Sequence, residues 1–353
     1  MTDPDPTSPV NPHRRRPRYA GTHPRRFEEK YKERDPRRYV ETVAKVVASG
    51  KTPAGTHRPI LVTEVLEVLA PRPGEVAVDC TLGYGGHAET LLERVRPGGR
   101  LLGLDIDPLE LPRTEARLRA LGHGPDVFTA YRSNFAGLPQ VLTAAELTGV
   151  DLILADLGVS SMQIDDPGRG FSIKHSGPLD MRMNPQRGSP VATLLERVRP
   201  DVLARWLEEN ADEPHAGALA AALAGRTFQT TTALAEAVRG VLPRLDREAG
   251  DLVVRRVFQA LRIVVNDEFS ALDMWLRHLP VCLNPGGRVA VITFHSGEDR
   301  RIKKAFESGE RDGTFSAIAP EVIRPSTAER YANPRSASAK LRWARRSLPA
   351  VSP

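Results

Sequence analysis

VAVDCTLGYGGH, residues 76–87, joins a short apolar run to a glycine-rich loop. Val76–Thr81 has the length and the β-branched content of a buried strand, and the glycines that follow it mark a turn. Leu91, Leu92 and Val95 then recur at helical spacing. A strand, a glycine loop and a helix in this order predict the first unit of an α/β sheet.

The same alternation continues on both sides of this unit. Upstream, Thr63 has the residue type of a helix N-cap and precedes an apolar helical stripe. Downstream, the pattern predicts strands at Leu101–Ile106, Val127–Tyr131, Val150–Leu157 and Val289–Phe294, and helices at Glu110–Leu121 and Leu252–Ile263. Strands that alternate with helices predict a doubly wound, Rossmann-like parallel sheet with helices on both faces.

Composition shifts divide the chain further. Between residues 175 and 250 the apolar spacing is helical throughout, which predicts an all-helical domain inserted into the sheet domain. We expect this insert to dock the substrate. The sheet domain would then comprise residues 56–174 and 251–346, with a short tail at 347–353.

The leading segment, residues 1–55, is rich in proline and arginine, which predicts a disordered basic extension. Residues 1–51 carry 13 Lys and Arg against 7 Asp and Glu, so the whole formal net charge of +6 lies there. Two interpretations remain open: an arm that binds phosphate, and an extension that only improves solubility.

The 353-residue chain is 40% hydrophobic, typical of a globular protein, and has no apolar run of the roughly 20 residues that a membrane helix needs. Its start lacks the apolar segment of a secretory signal. Cys80 and Cys282 match neither a metal-binding spacing nor a disulfide framework, and their apolar surroundings predict buried thiols. We therefore expect a cytoplasmic protein without a membrane partner or a structural metal.

In a doubly wound sheet, ligands bind at the carboxyl ends of the strands. Asp79–Gly86 lies at such an end, and Asp105 follows at about the 20 residues expected of an acid that binds ribose hydroxyls. The loop does not match the Gly-x-Gly-x-x-Gly fingerprint of dinucleotide sites. An acid directly before the loop suits a ligand with an ammonium group, such as S-adenosylmethionine. His87 is interpreted either as a ligand-orienting residue or as a helix-start residue.

Longer motifs carry a resemblance to a known family. They are Gly83–His87, Asp156–Gln163, Asp165–Ser172, Gly177–Met183, Phe258–Asn266 and Phe294–Arg300. In this order they resemble the bacterial small-subunit ribosomal RNA methyltransferase H family, from about His57 to Arg346. The resemblance implies N4-methylation of a cytosine in the decoding region of 16S rRNA with S-adenosylmethionine, the partner being either 16S rRNA or the small ribosomal subunit. It also implies cofactor contacts at Gly85, Gly86, His87, Asp105, Phe135, Asp156 and Gln163.

The cytosine amine is a poor nucleophile, so we expect an acceptor for its hydrogen bond. Asp156 and Asp180 are the two candidates, and Asp180 could equally form an ion pair with Arg182. His295 and Ser296 follow a later strand and are interpreted either as contacts to the substrate base or as a hydrogen-bonded strand terminus. Catalytic candidates are therefore Asp156, Asp180 and His295.

Three departures from the family pattern qualify these expectations. Met162 replaces a usual proline, Gly297 replaces a usual leucine and should loosen the helix start after Ser296, and Asn210–His215 differs within the insert. Candidate phosphate contacts include Arg169, Lys174, Arg182, Arg255, Arg256, Arg262, Arg300, Arg301, Lys303, Lys304, Lys340, Arg342, Arg345 and Arg346. A DNA or small-molecule methyltransferase and a non-catalytic RNA-binding assembly protein remain alternatives, and a homodimer remains open.

Overall fold

The computed structural model describes residues 59–349. Its strands are β1 (Val76–Asp79), β2 (Arg100–Asp105), β3 (Phe128–Arg132), β4 (Val150–Asp156), β5 (Leu283–Thr293), β6 (Phe315–Ile318) and β7 (Lys340–Arg346). Its α-helices are α1 (Val62–Leu69), α2 (Gly86–Val95), α3 (Leu111–Ala120), α4 (Leu138–Ala144), α5 (Ser161–Asp165), α6 (Val191–Arg197), α7 (Pro200–Ala211), α8 (Ala216–Leu223), α9 (Thr231–Val241), α10 (Arg247–Asn266), α11 (Glu268–Cys282), α12 (Ser296–Arg311) and α13 (Thr327–Ala332). Short 3₁₀ turns lie at Phe135–Gly137, Pro167–Arg169 and Pro334–Ser338.

The seven strands form one sheet in the order β3-β2-β1-β4-β5-β7-β6. The strands from β3 to β5 are parallel to one another, which confirms the predicted Rossmann-like class. The last two strands, β6 and β7, were not predicted, and β7 pairs antiparallel with both β5 and β6. The sequence of β7, KLRWARR, mixes basic and apolar residues without a regular alternation, and its charged residues favoured interpretation as candidate phosphate contacts.

The strands predicted up to residue 157, and the helix predicted at Glu110–Leu121, lie within two residues of the observed bounds. Other elements depart from the prediction: α10 begins at Arg247, five residues before the predicted Leu252. Helix α1 begins at Val62, so Thr63 lies inside it, and the N-cap position is taken by Leu61 without a side-chain hydrogen bond. Strand β5 begins at Leu283 rather than Val289, because Leu283 pairs with Val150 before the register shifts at the glycine turn.

Helices cover both faces of the sheet. On one face α1, α2 and α3 pack against Leu101, Leu152 and Ile292. On the other face α4, α11 and α12 pack around Trp275 and Ile153. Burial of such apolar side chains stabilises the fold by roughly 1.5–3 kcal/mol each, so the two faces supply much of the stability of the sheet.

The segment from 175 to 250 contains α6 to α9, which share a separate hydrophobic core with α10. Its only strand-like feature among the described residues is an isolated bridge between Pro178 and Thr230. Helix α10 passes through the predicted boundary at 250/251 without interruption. The helix therefore belongs to both parts, because Val254 and Val257 pack in the helical core while the C-terminal end of α10 reaches the sheet edge.

Within residues 59–349 no helix combines the length and apolarity that a bilayer crossing would require. Both cysteines are buried and free, as predicted. The predicted basic extension at 1–55 falls in the part of the chain that is not described.

Candidate active site

A cavity opens at the carboxyl ends of β1, β2 and β4. The chain runs outward from β1 to β3 and returns to β4 on the other side of β1, and this reversal of strand order leaves a crevice between neighbouring loops. The cavity begins at the glycine loop, passes the end of β4 and continues to the C-terminal end of α10. Residues that line it include Asp79, Gly83, Gly85, Gly86, His87, Asp105, Phe135, Asp156, Gln163, Arg262, Asn266, Glu268, Phe269, Phe294 and Glu298.

The glycine loop is held in place by α3. Gly85 has a φ of +80°, and a Cβ atom there would lie 2.9 Å from Thr114 Cγ2, so both the backbone conformation and the close approach require glycine. Arg117 Nη2 donates to the carbonyl of Tyr84 at 2.7 Å. Helix α2 begins directly after Gly85, so its first backbone N–H groups face the cavity end of the loop.

Asp105 connects the ends of β1 and β2. Its Oδ2 accepts from the N–H of Gly83 at 2.8 Å, and its Oδ1 accepts from the N–H of Asp107 at 2.8 Å. A carboxylate oxygen can accept two hydrogen bonds, so each oxygen retains acceptor capacity toward a ligand. Burial raises the pKa of Asp105 to about 6.

Asp156 ends β4 and lies beside two further ionisable groups. Its Oδ2 is 3.8 Å from Nε2 of the buried His87, and its Oδ1 is buried without a hydrogen-bond partner among residues 59–349. Burial, followed by the negative charges of Asp79 and Glu298, raises the pKa of Asp156 to about 8. The carboxyl is therefore poised to gain or lose a proton near neutral pH.

Asp79 is the third acid on this cavity, and burial raises its pKa to about 7. Three desolvated carboxyls around one cavity favour a ligand that carries positive charge, because such a charge stabilises their ionised forms. The sulfonium and ammonium groups of S-adenosylmethionine meet this requirement, and Asp105 adds acceptors of the kind that ribose hydroxyls need. The residues present therefore fit that cofactor.

Phe135 and Gln163 both line the cavity, as the cofactor expectation requires. Phe135 packs edge-on against Trp275, with ring centroids 6.1 Å apart, which fixes its ring. The Gln163 amide is occupied at both ends: its Nε2 donates to Asp107 at 2.9 Å and its Oε1 accepts from the N–H of Ser160 at 2.9 Å. Gln163 thus shapes the wall and holds the loop after β4.

Asp180 does not line the cavity. Both of its oxygens accept from Arg182, Oδ1 from Nε and Oδ2 from Nη2, each at 2.7 Å. Although burial raises the pKa of Asp180, the hydrogen bonds from Arg182 outweigh burial and lower it. The structure therefore shows the ion pair with Arg182 and does not bring Asp180 together with Asp156 at the cavity.

His295 also lies outside the cavity lining. Its Nδ1 accepts from the N–H of Glu298 and caps α12, and its Nε2 is 3.2 Å from Glu298 Oε1. Ser296 donates to Asp212 Oδ2 at 2.9 Å. The structure thus places both residues in a hydrogen-bonded strand terminus outside the cavity lining, which favours the second of the two interpretations.

Gly297 does not loosen the start of α12. A Cβ atom at this position would lie 2.6 Å from Phe269 Cζ, so the absence of a side chain gives the Phe269 ring its space. The helix is capped by His295, and Glu298 Oε2 additionally accepts from the N–H of Phe294 at 2.9 Å. The expected loosening is wrong because ring packing and capping replace the missing side chain.

Several candidate phosphate contacts are already engaged with acids. Arg169 is buried and donates to Asp107 Oδ2 at 2.7 Å, so it cannot reach RNA. Arg300 pairs with Asp212, and Arg342 pairs with Asp299. Arg169 is therefore removed from the expected RNA surface. Arg300 and Arg342 have much of their charge compensated by their acidic partners.

Sequence reasoning missed the far wall of the cavity, which is formed by Arg262, Glu268, Phe269 and Glu298. One signal was present, since Arg262 and Glu298 fall in two of the quoted motifs, but Arg262 was interpreted as a phosphate contact and no role was predicted for Glu298. Glu268, His295 and Glu298 each bring one oxygen or nitrogen atom within 4.8 Å of the others, a spacing that a metal ion could use. Arg262 already neutralises Glu268 there, through two hydrogen bonds of 2.9 Å.

Comparison with known proteins extends this description. The chain is 47% identical over 341 residues to "Ribosomal RNA small subunit methyltransferase H 1" of Lachnoclostridium phytofermentans, covering 94% of this chain and 93% of the relative. It is 48% identical over 339 residues to "Ribosomal RNA small subunit methyltransferase H 2" of Alkaliphilus metalliredigens, covering 94% and 97%. A solved putative rRNA methylase from Clostridium thermocellum is similar with a TM-score of 0.41 and 13% identity, covering 82% of this chain and 99% of that one.

Residues 54–347 match the family described as the MraW methylase family, which is most of the chain and includes every residue of the cavity. The match confirms the family resemblance drawn from the motifs, and with it a methyltransferase that uses S-adenosylmethionine. The chain belongs to the MraW methylase family.

Proposed function

We propose that this chain methylates the N4 amine of a cytosine in the decoding region of 16S rRNA, within the small ribosomal subunit. The observation that carries the proposal is the single cavity that joins the glycine loop and Asp105 to the buried carboxyl of Asp156 and then continues to Arg262. One end suits the methyl donor, and the other has room and polar groups for a base. An rRNA substrate favours the cytoplasm as the compartment.

The cofactor end is assigned to the backbone of Gly85 and Gly86, with His87, Phe135 and Gln163 as walls and Asp105 as the acceptor for ribose hydroxyls. S-adenosylmethionine supplies an electrophilic methyl group on a positively charged sulfur. Asp79 and Asp156 are close enough to the glycine loop to compensate that charge, since both line the same cavity and the negative charge of Asp79 contributes to the raised pKa of Asp156.

Asp156 is assigned the hydrogen bond from the amine. The nitrogen lone pair of cytosine N4 is delocalised into the ring, and an acceptor for an N–H of the amine returns electron density to the nitrogen. A cationic ligand next to Asp156 favours its carboxylate form, which accepts. The amine loses one proton when it gains the methyl group, and the carboxylate of Asp156 can take that proton because its pKa lies near neutrality.

The helical segment at 175–250 is proposed to dock the RNA. The chain that leads into it is attached to the wall of the cavity, since Asn266 Oδ1 accepts from the N–H of Met183 at 2.7 Å and both residues line the cavity. A target base must leave its stack to reach such a cavity. A segment rooted at the rim is well placed to hold the surrounding RNA while the base enters.

The test is transfer of tritium from labelled S-adenosylmethionine to small ribosomal subunits, protein-free 16S rRNA and duplex DNA, followed by mapping of the modified nucleotide. The expected result is N4-methylcytidine at one rRNA position. Label confined to DNA or to small molecules would contradict the proposal. RNA binding without any transfer would instead support an assembly role.

A further inference from the structure

The far end of the cavity is built around the Arg262 guanidinium. Its Nε and Nη2 each donate to one oxygen of Glu268, both at 2.9 Å, and the two side chains are only 16% and 12% exposed. A two-point contact of this kind fixes the plane of the guanidinium as well as its position. Arg262 therefore presents its remaining nitrogen, Nη1, in one direction.

That direction leads to the loop after Asp156. Nη1 takes part in none of the hydrogen bonds found among residues 59–349, and it lies 3.9 Å from the position that a Cβ atom of Gly158 would occupy. Gly158 is the second residue after Asp156, and all three residues line the cavity. Because glycine has no side chain to fill this space, the two N–H groups of Nη1 border the same part of the cavity as the Asp156 carboxyl.

We propose that Arg262 recognises the target base by donating from Nη1 to the ring nitrogen N3 of the cytosine whose N4 amine faces Asp156. This inference rests on the proposed function. The Watson–Crick edge of cytosine presents an amine donor beside a ring acceptor. The cavity presents the complementary pair, the acceptor Asp156 beside the guanidinium of Arg262, which can only donate. Uracil and guanine present a carbonyl in place of the amine and a ring N–H in place of the ring acceptor. Each would therefore set two acceptors against each other at Asp156 and two donors against each other at Arg262 Nη1.

The depth of Arg262 argues against a phosphate contact. Its charge is already compensated by Glu268, and Glu298 lies close enough to contribute to the electrostatics of both Arg262 and Asp156. A phosphate would have to displace Glu268 or approach these acids at the cavity wall. A neutral base edge needs only the free N–H groups.

The experiment uses small ribosomal subunits whose 16S rRNA carries either cytidine or 3-deazacytidine at the mapped target, the latter lacking the N3 acceptor but keeping the amine. Single-turnover rate constants give a cytidine to 3-deazacytidine ratio for each protein. In the variant Arg262→Met with Glu268→Gln, which removes the donor without leaving a buried charge, this ratio should fall about 10- to 100-fold below that of the wild-type chain. Because every protein is assayed with the same two substrates, the altered reactivity of the analogue cancels when the ratio of a variant is divided by that of the wild-type chain.

Arg262→Lys is the second variant, for the case in which the double variant does not fold. Its ammonium can stay on Glu268 but has no second terminal nitrogen to present, so the ratio should again fall toward that of the double variant. The matched control is Arg288→Met with Glu75→Gln. Arg288 also makes two contacts to one glutamate, at 2.7 and 3.0 Å, but lies outside the cavity. Its ratio should equal that of the wild-type chain.

Calorimetry of S-adenosylmethionine binding supplies a readout that is independent of activity, and the affinity should be the same in the wild-type chain and both Arg262 variants. A wild-type ratio in either folded Arg262 variant would overturn the inference. A wild-type chain that transfers no methyl group to cytidine-containing subunits would instead refute the proposed function, so the two failures are distinguishable.

Discussion

At the scale of single residues, the site depends on the protonation of Asp156. Its carboxyl combines burial, proximity to Asp79 and Glu298, and an oxygen without a hydrogen bond in the described structure. Asp180, the other candidate, is engaged with Arg182 on both oxygens. We therefore expect different effects on the methylation rate when each of the two aspartates is replaced by asparagine.

Asp156→Asn should lower the single-turnover methylation rate about 10²- to 10⁴-fold, because an amide cannot take the proton that the amine loses. Affinity for S-adenosylmethionine should change much less, since the glycine loop and Asp105 remain. Asp180→Asn is the control and should keep the wild-type rate at temperatures where the variant is folded. Equal losses in the two variants would show that Asp156 has no special role.

The raised pKa values also predict how stability depends on pH. Asp79, Asp105 and Asp156 have folded-state pKa values of about 7, 6 and 8 against an ordinary value of 3.8. The folded chain therefore binds more protons than the unfolded chain between these limits, and its stability falls as pH rises through them. The Tm of the ligand-free chain should decline from about pH 5 to about pH 8, and the decline should be smaller for Asp156→Asn. A wild-type slope in that variant would contradict the assignment.

At the scale of secondary-structure elements, a buried ion pair connects the end of β2 to the loop after α5. Asp107 is fully buried and accepts from Arg169 at 2.7 Å and from Gln163 at 2.9 Å. Arg169 also donates to the carbonyl of Met183 at 2.8 Å. The pair therefore holds together the loop after β2, the segment around α5 and the chain leading to the helical segment.

Arg169→Met should lower the free energy of unfolding by about 3–5 kcal/mol, because it leaves Asp107 buried without its cation. Denaturant unfolding measures this. Adding Asp107→Asn should recover part of the loss, since the uncompensated charge is then gone. Strict additivity of the two substitutions would argue that the pair does not act as a unit.

Helix α12 provides a packing prediction at Gly297. Gly297→Ala places a methyl group about 2.6 Å from Phe269 Cζ and should cost about 1–3 kcal/mol in unfolding free energy. Arg301 stacks on the same ring at 3.6 Å, which limits how far the ring can move. Phe269→Leu should restore much of the stability in the Gly297→Ala background. Unchanged stability of Gly297→Ala would mean that α12 can shift to accommodate it.

At the scale of the whole molecule, charge is segregated from the catalytic part of the chain. The family match begins at residue 54, after a segment with 13 basic and 7 acidic residues in its first 51 positions. The remaining residues are balanced in formal charge. If the segment binds phosphate, it contributes affinity for RNA but no chemistry.

A chain that begins at residue 54 should therefore keep wild-type affinity for S-adenosylmethionine and bind small subunits more weakly. The slope of log affinity against log salt concentration should become shallower, by at most roughly 4 to 5 for a net charge of six. Binding titrations at several salt concentrations measure both quantities. An unchanged slope would favour the interpretation that the extension only improves solubility.

The parallel part of the sheet, the glycine loop, Asp105 and the end of β4 were all predictable from the sequence. Each depends on a local pattern: an apolar run of strand length, a turn after it, and an acid at a fixed distance. The family resemblance followed from longer motifs of the same local kind, whereas the strand order came from the structure. Local patterns suffice here because a parallel strand that is buried on both faces has little choice of residue type.

Only the tertiary structure decided which polar residues share a cavity. Arg262 and Glu298 lie far from Asp156 in sequence and meet it because α10 and β5 return to the sheet edge beside β4. Asp180 and His295 are equally polar, but their ion pair and helix cap engage them elsewhere. The same limit applies to β7, whose mixture of basic and apolar residues becomes a strand through pairing with both β5 and β6. The physical reason is that pairing across the chain depends on distance in space, which residue types in a single sequence do not encode.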